Sequence, residues 1–112
     1  MKNFKIEEFN CKCCGQNKMN PGFLAMLDAA RELADCPFTI TSGYRCEKHN
    51  KELGSTASNH VLGVAADIRC TDGPMRFKII QVLIRGGFRR IGIAKTFIHC
   101  DCNDLPSSIW AY

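Results

Sequence analysis

The feature that most constrains the fold is a histidine–aspartate pair that needs a third group from far along the chain. His60 and Asp67 stand seven positions apart, in a segment of small residues that ends in a strand-like run. Imidazole and carboxylate groups are both zinc ligands, and a catalytic zinc site takes three protein ligands and keeps one position open. The third candidate is His99, in a second short run with β character. If these three residues form such a site, the fold must bring residue 99 beside residues 60 and 67, which spacing along the sequence alone does not prove.

The length and composition favour one globular domain over residues 1–112. Of the 112 residues, 46% are hydrophobic and 23% charged, and this length is in the commonest range for a single core. The net charge of +4 comes from scattered rather than clustered basic residues. It supports a polyanionic substrate only weakly, and an ordinary protein surface explains it equally well. We expect a monomer that binds no nucleic acid.

Capping signals and apolar spacing predict two long helices. Asn20-Pro21 supplies an N-cap and a proline at the first helical position, so we expect a helix from about Pro21 to Ala34. A second helix should open at Gly73-Pro74 and stop at Gly86-Gly87. The expected core residues of the entry segment and of the two helices are Phe4, Ile6 and Phe9; Phe23, Leu24, Leu27, Ala30, Leu33 and Ala34; and Phe77, Ile80, Leu83 and Ile84.

Runs of β-branched and apolar residues predict four short strands. They cover residues 38–41, 64–69, 90–94 and 97–102, with one or two helical turns over 45–53. Side chains alternate along a strand, so His99 and Asp101 share a face. If the strands at 64–69 and 97–102 are neighbours, Asp67 and His99 converge. These elements predict an α+β domain, and we expect Trp110 and Tyr112 to pack back onto its body.

Eight cysteines are many for this length. Cys11 and Cys14 have the two-residue spacing of a zinc knuckle, although Cys13 between them makes the pattern irregular. A second, structural zinc bound by Cys11, Cys14 and two further thiols is one interpretation. Reduced, partly buried thiols are the other, and short motifs of this kind favour it.

Three motifs in order resemble the zinc D-Ala-D-Ala carboxypeptidase family. They are Ser42-Gly43-Tyr44-Arg45, then Ser58-x-His60-x-x-Gly63-x-Ala65-Ala66-Asp67-Ile68, then Gly87-Phe88 followed by Ile98-His99-x-Asp101. The resemblance runs from about Phe9 to Asp101. It implies an α+β fold of the DD-peptidase and hedgehog type, in which a small antiparallel sheet is flanked by helices and carries a metal cleft.

The resemblance also implies roles for particular residues. His60, Asp67 and His99 would hold one catalytic Zn²⁺. Arg45 would contact the substrate, by gripping a terminal carboxylate or stabilising the developing oxyanion. An ion pair of Arg45 with Asp101 or Glu47 is the structural alternative. Ser58 would hydrogen-bond the substrate or the loop backbone.

The expected activity is zinc-dependent hydrolysis of a peptide bond in peptidoglycan stem peptides. A D-Ala-D-Ala carboxypeptidase and an endolysin-type endopeptidase both fit the motifs. The first residues carry charges and no apolar signal region, and no run reaches the ~20 apolar residues of a membrane span. We therefore expect synthesis in the cytoplasm without a signal peptide and action on the cell wall, for example after phage-type release.

One departure from the family concerns the general base. Many members place an acidic residue a few positions before the last histidine ligand, where this chain has Gly92-Ile93-Ala94-Lys95-Thr96. Asp101 is the nearest candidate, either as the base or as a group that orients a ligand. The departure also leaves open a non-catalytic zinc-bearing binding module, because hedgehog signalling domains resemble this fold, keep the zinc triad and act by binding.

Overall fold

Five strands form one sheet, and three helices and a single 3₁₀ turn complete the fold. The computed structural model describes residues 1–112. In chain order the elements are a 3₁₀ turn at Ile6–Phe9, α1 Pro21–Ala34, β1 Ile40–Ser42, α2 Glu47–Glu52, β2 Ala65–Arg69, α3 Gly73–Arg85, β3 Arg90–Ile93, β4 Phe97–Asp101 and β5 Ser108–Ala111. The three predicted helices and four predicted strands are confirmed to within two residues.

The sheet is antiparallel except at one edge. Its strand order is β1-β2-β4-β3-β5, and only the β3–β5 pair is parallel. The α+β fold with a small sheet and flanking helices is therefore confirmed, while β5 was not predicted. The strands β2 and β4 are neighbours near the middle of the sheet, as expected, and Asp67 lies directly opposite His99 in their register.

The two faces of the sheet have different chemistry. Ile68 on β2, Ile98 on β4 and Ile91 on β3 point into the hydrophobic core, which α1 and α3 complete. Because side chains alternate along a strand, Asp67 and His99 point to the opposite face. Helices α1 and α3 thus cover the apolar face and leave the polar face for the candidate site.

Helix α1 shows how local signals set the bounds of an element. The Asn20 side chain accepts a hydrogen bond of 3.0 Å from the Phe23 backbone N–H, and Pro21 occupies the first turn. The helix ends at Asp35, which has the left-handed φ of 53°. The Asp72 side chain caps α3 in the same way through the Met75 N–H.

Four of the expected core residues are wrong. Ile6, Leu33, Phe77 and Ile84 are each at least half exposed, at 51%, 53%, 71% and 50%. A helix buries a stripe of limited width, and an apolar residue one position off that stripe stays in solvent. None of the helices combines the length and apolar character needed to span a bilayer.

The loop after β1 packs tightly on the N-terminal segment. The Tyr44 N–H donates to the Phe9 carbonyl at 2.8 Å. A Cβ placed on Gly43 would lie 2.6 Å from the Phe9 Cα atom, so only glycine allows this contact. The close approach fixes the loop that precedes Arg45.

We predict that Gly43→Ala destabilises the protein by about 1–3 kcal/mol, because the added methyl group must push the Phe9 backbone away. The measurement is the free energy of unfolding in urea. Gly73→Ala is the matched control, since a Cβ there meets no atom within 4 Å. Equal stability of the two variants would show that the loop yields at no cost.

Candidate metal centre

Two strands and one turn bring the three predicted ligands together. Asp67 on β2 and His99 on β4 are cross-strand partners on the polar face of the sheet. His60 lies in the turn before β2, which closes through a 3.2 Å hydrogen bond from the Gly63 N–H to the His60 carbonyl. All three residues are buried. The predicted convergence of residues 60, 67 and 99 is confirmed.

The donor atoms are at distances that suit one metal ion. Asp67 Oδ1 lies 2.9 Å from His99 Nδ1 and 3.4 Å from His60 Nε2. The ligand atoms of the three residues lie within 4.8 Å of one another. Ligands at ~2.0–2.2 Å from a tetrahedral zinc require such separations. The set of two imidazoles and one carboxylate therefore fits zinc in both chemistry and spacing.

Each imidazole is oriented through its other nitrogen. His60 Nδ1 lies 2.8 Å from the Gly43 carbonyl oxygen. A carbonyl only accepts, so Nδ1 carries the proton and Nε2 keeps its lone pair for the centre. His99 Nε2 lies 2.7 Å from Asp101 Oδ2, which leaves Nδ1 facing Asp67. Partners of this kind fix the tautomer of metal-bound histidines.

Asp101 lies behind His99, and its side chain is fully buried. Besides His99, its carboxylate accepts hydrogen bonds from Arg90 Nε at 2.9 Å, from Asn59 Nδ2 at 3.3 Å and from the Asn103 N–H at 3.1 Å. Burial opposes ionisation, but the hydrogen bonds from His99 and the Asn103 N–H and the charges of His99 and Arg90 hold the pKa of Asp101 below its usual range. The carboxylate is thus ionised and occupied by four donors.

Electrostatic coupling is strong between the three central groups. Burial alone would raise the pKa of Asp67, but the hydrogen bonds and charges of His60 and His99 bring it to about 2. Burial would lower the pKa of His99, but Asp101 and Asp67 raise it above its ordinary value. In the metal-free protein the protonated form of His99 is therefore favoured, and binding of a metal ion at Nδ1 would compete with it.

Arg45 lies beside the centre and contacts neither of the two acidic residues considered from the sequence. Its Nη2 lies 3.4 Å from Asp67 Oδ2, its Nε donates to Ser42 Oγ at 2.9 Å, and its Nη1 donates to Asn50 Oδ1 at 3.4 Å. A guanidinium has five N–H donors, so three hydrogen bonds leave two donors free. The side chain is held by these three contacts and is 14% exposed.

A cleft of about 470 Å³ opens over the centre, a volume within the range of small-molecule sites. Its lining comprises Arg45, Leu53, Ser55, Ala57, Asn59, His60, Asp67, Arg90, Phe97, His99, Trp110 and Tyr112. The structure thus brings four of the predicted site residues to one cleft. Asp101 lies beneath the lining, and Ser58 is exposed outside it.

The expected packing of Trp110 and Tyr112 onto the body is confirmed, but the sequence did not predict that β5 carries them as a wall of the cleft. The Trp110 ring lies 5.5 Å from the His99 ring, and the Arg90 guanidinium lies 5.1 Å from the Trp110 ring. Tyr112 packs on Phe97 at 5.4 Å. Gly92 makes room, because a Cβ there would lie 2.7 Å from Trp110 Nε1. The alternation in Ser-Ile-Trp-Ala-Tyr was the available signal for this strand.

A buried pair of histidines and an aspartate, oriented from behind and open to a cleft, could hold one metal ion, and it is the type of ligand set that hydrolytic zinc centres use. Residues 2–101 match the family model described as Peptidase M15. The chain therefore belongs to the peptidase M15 family, a family of metallopeptidases, and the resemblance seen in its motifs is confirmed. No curated protein matches the sequence significantly.

The raised pKa of His99 predicts how the stability of the metal-free protein depends on pH. The protonated form is favoured in the folded state, so its contribution is complete below the unfolded pKa of about 6.5 and is lost as pH rises through the folded pKa. We expect this contribution to the metal-free free energy of unfolding to fall as pH rises above about 6.5. The pKa of Cys11, which backbone N–H groups lower despite burial, acts in the opposite direction near pH 7, so the His99 contribution is measured as the difference between the wild-type and His99→Gln profiles. His49→Gln should keep the wild-type profile; an unchanged profile in His99→Gln would contradict the coupling.

Proposed function

We propose that the protein is a zinc-dependent peptidase that cleaves peptidoglycan stem peptides. The observation that carries the proposal is the orientation of the two imidazoles. His60 faces the centre with Nε2 because Gly43 holds Nδ1, and His99 faces it with Nδ1 because Asp101 holds Nε2. Membership of the peptidase M15 family supports hydrolysis of a peptide bond. The choice of substrate rests on the resemblance of the motifs to D-Ala-D-Ala carboxypeptidases.

His60 Nε2, Asp67 Oδ1 and His99 Nδ1 would hold the ion. Zinc supplies activation of water and polarisation of the scissile carbonyl when it is bound. Burial of all three side chains keeps bulk water from competing for them. Arg45 neutralises Asp67 from its far oxygen at 3.4 Å, so that Oδ1 stays directed at the centre.

Arg45 is the group that we assign to the substrate. Its two free N–H donors match the two oxygens of a carboxylate, and its position at the cleft keeps them within reach of a peptide bound beside the centre. Trp110 and Tyr112 form an aromatic wall, against which the apolar part of a peptide can pack. Together they favour a short peptide that presents a carboxylate near the scissile bond.

We assign Asp101 to the positioning of His99 rather than to proton transfer. Its side chain is fully buried, and all its contacts are with protein donors. A general base must reach the proton that it abstracts, and the imidazole of His99 stands between Asp101 Oδ2 and Asp67. Of the two roles that the sequence allowed for Asp101, general base or orienting group, we therefore assign the second.

A non-catalytic zinc-bearing binding module is the second candidate function. The observation in its favour is that Asp67, itself a ligand, is the only carboxylate in the cleft lining. A binding module needs the metal and the cleft but no base. Under this alternative the protein would bind a stem peptide and release it intact.

The function is tested with purified protein, zinc and two synthetic stem peptides. One ends in D-Ala-D-Ala, and the other contains an internal L-Ala-D-Glu bond. We expect cleavage of one of them, loss of cleavage with a chelator or in His60→Ala, and retention in Arg85→Ala, at an exposed position on α3. Binding without cleavage would identify the binding module. If the protein neither binds nor cleaves the two peptides, the substrate assignment is overturned.

For Arg45→Ala we expect normal zinc content and a loss in kcat/KM equivalent to about 2–4 kcal/mol, because donors aimed at developing charge are worth this amount. Steady-state kinetics measure it. The exposed Arg85 on α3 provides the matched control, and Arg85→Ala should change nothing. Loss of zinc or of the fold in Arg45→Ala would assign Arg45 a structural role instead.

For Asp101→Asn we expect zinc affinity to fall by about 10–100-fold, because loss of a partner behind a ligand has effects of this size. With zinc in excess, kcat should stay near that of the wild type. Competition with a chelator measures affinity, and the exposed Asp104→Asn is the control. A drop in kcat of about 10²–10⁴ at full zinc occupancy would restore Asp101 as the base.

A further inference from the structure

A second group of metal-binding side chains lies outside the cleft. The thiols of Cys11, Cys14 and Cys46 have their sulfur atoms within 4.8 Å of one another; we call these three residues the thiol cluster. Sulfur atoms at about 2.3 Å from one tetrahedral zinc lie a little under 4 Å apart. Cys11 is buried, Cys46 is half-buried and Cys14 is exposed. The cluster is therefore anchored in the protein and accessible to an ion from solvent.

The turn that carries two of these thiols has the shape of a metal-binding loop. Cys11 and Cys14 are separated by two residues, and Gly15 follows with a φ of 75°. The Gly15 N–H donates to the Cys11 carbonyl at 2.9 Å, and the Cys11 N–H donates to the Gln16 carbonyl at 2.8 Å. The chain thus reverses and sends both thiols to one side, in the spacing that structural zinc sites use.

Backbone N–H groups already point at the sulfur atoms. The Cys46 N–H lies 3.4 Å from the Cys11 sulfur, and the His49 N–H lies 3.4 Å from the Cys46 sulfur. Such donors offset the negative charge of thiolates, which are the form that binds metal. Burial raises the pKa of Cys11, but N–H groups of Cys46, Cys14 and Cys13 lower it to about 7.

We propose that Cys11, Cys14 and Cys46 bind a second zinc ion with a structural role. Cys13 and His49 border the fourth position, since the Cys13 sulfur lies within 4.8 Å of a ring nitrogen of His49, and the His49 backbone N–H lies 3.4 Å from the Cys46 sulfur. A disulfide within the cluster would use two thiols and leave the third unpaired. A metal ion engages all three.

The site joins two distant parts of the chain at a functional loop. Cys11 and Cys14 follow the 3₁₀ turn that contains Phe9, and Cys46 directly follows Arg45. Between them, the Gly43 carbonyl orients His60. An ion at the thiol cluster would therefore hold the N-terminal segment against the loop that positions Arg45 and one ligand of the cleft. This structural role of the second ion is independent of the reaction that the cleft performs.

The decisive experiment removes the first site and counts the remaining metal. In a His60→Ala/His99→Ala double variant purified under reducing conditions, we expect one zinc ion per chain, against two in the wild type. X-ray absorption at the zinc edge should show at least three sulfur ligands at about 2.3 Å. Cobalt substitution should give a thiolate charge-transfer band, which a site of two histidines and an aspartate does not produce.

Cysteine variants supply the matched comparison. Cys46→Ser should lose one zinc ion, whereas Cys36→Ser, at a half-buried cysteine outside the cluster, should keep both. If Cys46→Ser does not fold, the double variant alone decides the question, because its cysteines are intact. A double variant without zinc, or with zinc that has no sulfur ligands, overturns the proposal. A disulfide between cluster cysteines in protein purified under reducing conditions also overturns it.

Discussion

The contact on which the site depends is the one between the Asp67 carboxylate and two imidazoles. A buried carboxylate is costly unless it is paired and hydrogen-bonded. Here one oxygen faces His99 at 2.9 Å and His60 at 3.4 Å, and the other faces Arg45 at 3.4 Å. Without a metal, these partners stabilise the charge of Asp67. In the proposed zinc-bound state, the same oxygen and the same two nitrogens would become ligands, so the site would be formed before the ion arrives.

The backbone makes this arrangement durable. Asp67 and His99 occupy opposed positions on adjacent strands, and a shift of one residue in register would turn one of them into the core. Ile68 and Ile98 oppose such a shift, because they are fully buried on the other face. The hydrophobic core thus fixes the position of the polar centre. The position of His60 depends instead on the loop after β1, because the Gly43 carbonyl accepts a hydrogen bond from the His60 ring. Gly43 in turn packs closely on the Phe9 backbone.

The sequence predicts those parts of the protein that local chemistry determines. Asn20 and Asp72 mark the helix starts because their side chains cap the first turns, and strand periodicity correctly places His99 and Asp101 on one face. The motifs identify the three central residues because few arrangements need two histidines and an aspartate in this order. Their assignment as zinc ligands remains a prediction.

What the sequence leaves open depends on contacts between distant residues. Strand β5 pairs in parallel with β3, and the polar residues Ser107 and Ser108 at its start do not indicate this pairing. The environment of Asp101 could not be inferred, because the donors from Arg90 and Asn59 come from elsewhere in the fold. Ser58 is exposed and does not line the cleft, although its neighbour Asn59 does. In this turn, one residue faces solvent and the next lines the cleft, and the local sequence pattern does not indicate which is which.

Anomalous diffraction at the zinc edge, from crystals of the protein grown with zinc, tests the central claim most directly. The account predicts a peak about 2.0–2.2 Å from His60 Nε2, Asp67 Oδ1 and His99 Nδ1, with a fourth side open to the cleft. The His99 Nε2–Asp101 contact should persist in that structure. A peak bonded to His99 Nε2, or none among these three residues, would contradict it.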